Sequence, residues 1–188
     1  MIRHADPERD AAACAAIYAP YVTDGVASFE LTPPSREEMA ARIASASRTH
    51  AWLIAERDGE PAGYAYATPH HARAAYRWAA DVAVYVDSAR RRSGVGRELY
   101  GALLALLERQ RIHVACAGVT LPNDASVGLH EAFGFEPVGV YRRVGYKHGG
   151  WHDVGWWQLR LRPPAAEPEE PLGPQRLSPP DRPSTGTA

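Results

Sequence analysis

The sequence predicts one mixed α/β domain over residues 1–162, followed by a tail. Three observations carry this reading. Strand-like stretches alternate with stretches of helical period. At the centre, the run VYVDSARRRSGVGRELY passes from a strand through a glycine turn into a long amphipathic helix. After Leu161 the composition changes abruptly. A chain of 188 residues suits one domain that buries roughly two thirds of its unfolded surface.

The elements follow in order. Ile2-Arg3-His4 reads as a short first strand, and Asp6-Pro7 is a helix start, an N-cap acid before proline at the first helical position. Ala13, Ile17 and Tyr21 then repeat at helical spacing. Ser35-Arg36-Glu37-Glu38 is a capping box opening a second helix, with Met39 and Ile43 on one face. Residues 50–68 form a hairpin, in which AWLIAE and AGYAYAT flank the turn signal Asp58-Gly59. A strand over 81–86 leads to a helix over 94–110, whose Val95, Leu99, Leu103 and Leu106 make an apolar stripe. A buried strand over 114–121 and a short helix over 125–133, closed by Gly134, come next. Strands over 138–146 and 154–161 complete the sheet, with a turn over 147–154 between them. Residues 163–188 hold half of the sixteen prolines and no aromatic residue, so a disordered tail is expected there.

Composition narrows the function. The charged fraction of 23% and net charge of −1 are ordinary for a soluble protein and less basic than a general nucleic-acid binder. The start MIRHADPERD has no apolar signal core, and no uncharged apolar run approaches the roughly 20 residues of a membrane span. A cytoplasmic protein without nucleic-acid or membrane partners is expected. Cys14 and Cys116 lack metal-type spacing and read as reduced core thiols. His70 and His71 lack matched ligand partners, while His148 and His152 enclose Gly149-Gly150, which disfavours a helix that would align them. No metal is expected.

In Arg91-Arg92-Ser93-Gly94-Val95-Gly96, glycines remove side chains where a helix begins, so several backbone N–H groups can face one anion. A nucleic acid, a nucleotide phosphate and plain solvent all suit the arginines when this turn is taken alone. The third glycine of the dinucleotide fingerprint and the Lys-Ser/Thr pair of a P-loop are both absent.

Context decides. The strand VAVYV, the Arg91-x-x-Gly94-x-Gly96 turn, the long helix, the strand VACAGVTL, Asn123 and a helix ending in Phe133-Gly134-Phe135 together resemble a Gcn5-related N-acetyltransferase (GNAT). Within that superfamily, residues 72–78, 121–126 and 146–155 are similar to phosphinothricin N-acetyltransferases. The resemblance covers about residues 1–162 and implies a GNAT fold, a mixed, mostly antiparallel twisted sheet flanked by helices. It also implies acetyl-CoA as co-substrate and a homodimer, with Trp151 packing beneath the 147–154 turn or across the dimer interface.

It further implies roles. The pyrophosphate would rest on the amides of Arg92, Ser93, Gly94, Val95, Gly96 and Arg97 beside Arg91, and the pantetheine would pair with the backbone of Val84, Tyr85 and Val86 like an added strand. Asn123 and Ser126 would contact the cofactor arm; Asn123 also suits an ordinary helix cap. The attacking amine must be neutral, so a base is needed, and Asp81 lies three residues before Val84. Phosphinothricin-type enzymes usually carry Glu there, so Asp81 is shorter by one methylene and acts directly or through a water. His130 occupies the place from which the departing thiolate would receive a proton or hydrogen bond, or merely packs against the cofactor. Tyr141 is a reserve acid. Phe29, Arg73 and Tyr76 are expected in the acceptor pocket, where a guanidinium suits a carboxylate or phosphinate; Phe29 and Tyr76 equally suit the core. The expected activity is acetylation of a small amino-acid-like amine. The alternatives are a peptide, protein or aminoglycoside amine, or a non-catalytic acyl-CoA sensor.

Overall fold

Local signals set the early elements as the sequence predicts. In the computed structural model, which describes residues 1–179, β1 (Ile2–His4) precedes α1 (Pro7–Thr23), capped by the Asp6 carboxylate accepting from the N–H groups of Glu8 and Arg9. Both bonds of the capping box open α2 (Arg36–Ala46): Ser35 accepts from the Glu38 N–H, and Glu38 accepts from the Ser35 N–H. Asp58 and Gly59 both adopt positive φ between β2 (Trp52–Arg57) and β3 (Glu60–Pro69), as a two-residue hairpin turn requires. β4 (Ala79–Val86), α3 (Val95–Arg109), β5 (Val114–Leu121) and α4 (Asp124–Ala132) follow.

The last hairpin is longer than the sequence suggests. β6 (Glu136–Lys147) and β7 (Gly150–Arg160) are joined by a tight turn in which His148 and Gly149 have positive φ. Residues 150–153, read as turn, are strand, because the Lys147–Gly150 and Tyr146–Trp151 pairs continue the ladder. Trp151 accordingly does not pack beneath a turn; it lies exposed beside Tyr146, ring centroids 5.3 Å apart.

Among the described residues the strands form one sheet in the order β1-β2-β3-β4-β5-β7-β6, antiparallel except between β4 and β5. Its two faces bury two cores. Leu99, Leu103, Leu106 and Leu107 of α3 pack with Leu53, Val82, Ile112 and Phe135 on one face. Ile17, Tyr18, Met39 and Ile43 of α1 and α2 pack with Trp52, Ile54 and Tyr64 on the other. Truncating a stripe leucine such as Leu103 would cost about 2–5 kcal/mol.

The segment 163–179 differs from the disordered tail expected. Its carbonyls accept hydrogen bonds from Trp78 and Gln110 at Glu169 and Leu172, and the Leu172 N–H donates to the Gln110 carbonyl at 2.9 Å. Pro174 is buried and Leu177 packs against the larger core. Backbone acceptors therefore do what the poor apolar content of this segment does not. The rest of the expected tail, 180–188, lies outside the described residues. No helix among those described is long and apolar enough to cross a membrane.

Candidate active site

β4 and β5 pair only through Ala79–Val114, Ala80–Ala115 and Asp81–Cys116, then part. β4 runs on to Val86 along β3, while β5 runs on to Leu121 along β7. The parting opens a cleft of about 800 Å³ between Val82–Val86 and Gly118–Thr120. Tyr21 of α1, the loop after it, the start of α3, and Asn123, Ser126 and His130 close its sides.

The end at the start of α3 is built for an anion. Arg92 (φ +60°) and Gly94 (φ +86°) are both left-handed, and Gly94 caps α3 without a side chain, so the first N–H groups of the helix receive no side-chain cap. A Cβ on Gly96 would come 3.3 Å from the Val86 side chain, so a bare backbone is needed at the cleft wall. The arginines divide. Arg91 lies over the Tyr21 ring at 5.2 Å, Arg97 over Phe133 at 5.7 Å, and both line the cleft with Arg92. Arg90 also reaches it but is paired to Asp58 at 3.0 Å.

Along the strand, the Tyr21 hydroxyl donates to the Val86 carbonyl at 2.8 Å and accepts from the Val86 N–H at 3.2 Å. The main-chain groups of Val86 thus face away from β3, and by the two-residue alternation those of Val84 do so too. Tyr85 pairs with Tyr64, and its half-buried ring packs among Tyr18, Tyr21 and Tyr64.

Further titratable groups stand just outside this lining, which on β4 begins at Val82, at the Asp81–Cys116 pair where β4 and β5 are still joined. Asp81 Oδ1 is 2.6 Å from His70 Nδ1, and burial pushes the Asp81 carboxyl above its usual range while the His70 bond opposes that rise. The Cys116 sulfur lies close by, its donor atom within 4.8 Å of those of His70 and Asp81. His70 therefore has partners that the sequence did not suggest. Two ligands on one tetrahedral zinc ion stand about 3.3 Å apart; the His70–Asp81 contact at 2.6 Å is a hydrogen bond. Burial, with the Asp81 charge, raises the Cys116 thiol to about 11, so it stays protonated and is a poor nucleophile. Trp156 roofs Gly118, where a Cβ would meet the indole at 3.3 Å, and its buried Nε1 has no partner among the described residues. On the α4 side, His130 Nδ1 donates to the Ser126 carbonyl at 2.6 Å, and burial depresses its pKa.

An amide cradle, an open strand edge and a half-buried carboxylate beyond it suit a phosphate-bearing acyl carrier. A family model described as an acetyltransferase (GNAT) domain matches residues 2–156. The chain belongs to the GNAT acetyltransferase family. It is 41% identical over 165 residues to a phosphinothricin N-acetyltransferase of Streptomyces viridochromogenes, covering 88% of this chain and 89% of that one. It is 32% identical to an L-methionine sulfoximine/L-methionine sulfone acetyltransferase of Pseudomonas paraeruginosa, over 81% and 90% of the two chains. The crystal structure of a GNAT superfamily phosphinothricin acetyltransferase from Sinorhizobium meliloti in complex with AcCoA superposes with a TM-score of 0.87 at 32% identity, over 94% and 97%.

In this GNAT enzyme, Val84, Tyr85, Val86, Arg91, Arg92, Gly94, Gly96, Arg97, Asn123, Ser126 and His130 all line the one cleft. Val95 turns its side chain into the core, and the Ser93 hydroxyl donates to the Arg90 carbonyl, so these two can offer only backbone. Asn123 is also the cap foreseen as its bland role: Oδ1 accepts from the Ser126 N–H at 3.1 Å. The acceptor candidates are less united. Tyr76 stands beside His71 and His70, with ring centroids 4.7 and 6.0 Å apart, and Phe29 packs on Gly145 of β6. Arg73 lines a different concavity with Arg48, His71 and the segment 171–173. Sequence reasoning missed Tyr21, taken for a core-facing residue, and also Trp156. It missed Lys147, whose buried ammonium donates to the carbonyls of Val22 and Ser28 and ties the Phe29 loop to β6. A lysine followed by the turn-forming His148-Gly149 pair was the available signal for that tie.

Proposed function

We propose that the protein transfers the acetyl group of acetyl-CoA to the amino group of a small amino-acid-like acceptor of the phosphinothricin or methionine sulfoximine type. The observation that carries this reading is the parting of β4 and β5 immediately beyond Asp81–Cys116, which opens one cleft from the amide cradle to Val82, the residue next to the Asp81 carboxylate. The cradle and Arg91, Arg92 and Arg97 hold the pyrophosphate; the open edge at Val84, and at Val86 once Tyr21 yields, pairs with the pantetheine; Asn123 and Ser126 flank the arm. Asp81 is the base for proton removal, acting directly or through an intervening group. With Nδ1–H held by Ser126, neutral His130 presents Nε2 as an acceptor, so it receives a hydrogen bond from the product thiol and does not supply the proton itself. Phe29 and Tyr76 bound the acceptor, whereas Arg73 lines the separate concavity beside His71. The names of the two relatives support this acceptor class.

Thiol release from acetyl-CoA, followed over a panel of amines, tests the reading. Turnover is expected with phosphinothricin or methionine sulfoximine. Turnover only with a peptide or an aminoglycoside would replace the acceptor class, and binding without turnover on any amine would make the protein a sensor. Asp81→Asn is expected to suppress turnover at neutral pH while acetyl-CoA still binds. The homodimer belongs to the same proposal: Val138, Val140, Tyr141, Val144 and Tyr146 of the edge strand β6 and Trp151 of β7 are all exposed, and a second copy is the occupant proposed for them. A monomeric mass by light scattering would refute that part.

A further inference from the structure

His70 and Asp81 are brought together by the register of one antiparallel edge. β3 and β4 pair Thr68 with Asp81 and Pro69 with Ala80, and the His70 N–H then donates to the Ala79 carbonyl at 3.2 Å. That bond returns the imidazole to the strand carrying Asp81, where Nδ1 meets Oδ1 at 2.6 Å. An ionised carboxylate only accepts, so Nδ1 carries the hydrogen and Nε2 keeps its lone pair. Nε2 has no hydrogen-bond partner among the described residues, and the side chain keeps 22% of its surface exposed. Around the ring stand Tyr76 and Trp156, each 6.0 Å away edge-on, and His71 at 4.3 Å.

We propose that His70 is a catalytic residue of this enzyme: its Nε2 takes the proton from the acceptor ammonium, while Asp81 fixes the ring through Nδ1 and stabilises the imidazolium. The inference rests on the acetyl-transfer reading and deepens it. It accounts for the short Asp81 side chain, since the imidazole supplies the missing reach. It also presents a free nitrogen lone pair on a ring that keeps 22% of its surface exposed, in place of a carboxylate oxygen already engaged at 2.6 Å. The titratable groups facing His70 are Asp81 on β4, Cys116 on β5, and His71 and Tyr76 in the segment after β3. Of these, Asp81 is the anion, and it alone can balance a charge formed on the ring.

The step balances as follows. Nε2 removes one proton from the ammonium, leaving a neutral amine whose lone pair attacks the thioester carbonyl. The C–N bond forms, the C–S bond breaks, and its electron pair leaves on sulfur. The remaining surplus proton on nitrogen passes to that sulfur, giving amide and thiol. The proton on His70 leaves through the exposed edge of the ring to solvent.

His70→Asn and His70→Phe test the role. Asn retains an N–H for Asp81 but offers no base; Phe removes both. With an acceptor that the wild type turns over, kcat at pH 7 is expected to fall about 10²- to 10⁴-fold in each variant. Acetyl-CoA binding by calorimetry should be unchanged. The loss in His70→Asn should shrink as the pH passes the amine's own pKa, about 8 for an α-amino group, since the amine then arrives neutral. A His70→Asn enzyme within about threefold of wild-type kcat would overturn the proposal, leaving His70 only a holder of Asp81. A loss that does not recover at alkaline pH would also overturn it. Should His70→Phe fail to fold, His70→Asn alone decides. A wild type inactive on every amine would refute the acetyl-transfer reading; an active wild type with an equally active His70→Asn refutes only this inference.

Discussion

The hydroxyl of Tyr21 grips both polar groups of Val86, donating to its carbonyl at 2.8 Å and accepting from its N–H at 3.2 Å. Those are groups that an added strand would need, so under the proposed pairing with the pantetheine acetyl-CoA displaces the hydroxyl. A net hydrogen bond is worth about 1 kcal/mol. Tyr21→Phe keeps the ring beneath Arg91 and deletes only the competitor. The KM for acetyl-CoA is therefore expected to fall by up to about fivefold with little change in kcat. An unchanged or raised KM would show that the hydroxyl does not compete.

Gly94 and Gly128 offer a contrast between two glycines near the same cleft. Gly94 has φ +86°, so Gly94→Ala places a Cβ in the left-handed region at a cost of about 1–2 kcal/mol and tightens the amide cradle. A drop in Tm of roughly 2–8 °C, with weaker acetyl-CoA binding and an unchanged KM for the acceptor, is expected. Gly128 lies inside α4 with nothing within 4 Å of its added Cβ. Gly128→Ala should stabilise by about 0.5–1 kcal/mol. Thermal melts and calorimetric titration read both; equal effects would refute the conformational argument.

How much of this was legible depends on the range of the determinants. The caps at Asp6 and Ser35, the Asp58-Gly59 turn and the α3 stripe are set within a few residues, and the sequence revealed each. The cradle was legible for the same reason, since Gly94 and Gly96 constrain their own backbone. The His70–Asp81 bond spans eleven residues and exists only through the β3–β4 register. Lys147 violates the expectation that lysine is exposed, because two carbonyls 119 and 125 residues earlier accept from it. Tyr21 fitted the apolar period of α1 so well that its hydroxyl went unread.

Gly145 tests the place given to Phe29. A Cβ there would come 2.1 Å from the Phe29 ring, so Gly145→Ala must move it. The ring is 36% exposed, so it can swing outward at little cost to the fold. If Phe29 bounds the acceptor, the acceptor KM should rise roughly two- to tenfold, the value of an aromatic contact, while the KM for acetyl-CoA stays put. Phe29→Ala should then add nothing to Gly145→Ala. Additive losses would separate the two residues.

His50 gives the fold a dependence on pH. Its Nδ1 meets the Thr49 hydroxyl at 2.9 Å, its Nε2 is buried with no partner among the described residues, and burial lowers its pKa to about 4. Between about 6.5, the value for an unfolded histidine, and 4, the unfolded chain takes up a proton that the folded chain refuses. Stability therefore falls as the pH drops through that window, by about 2 kcal/mol at pH 5 and at most about 3 below pH 4. His130 shifts in the same direction by burial, so it contributes a loss of the same sign that a change at His50 leaves in place. Urea unfolding of wild type and His50→Leu at pH 7.5 and 5 isolates the share of His50. The variant should lose about 2 kcal/mol less on acidification than the wild type, and parallel losses would mean that the His50 ring is protonated in the fold.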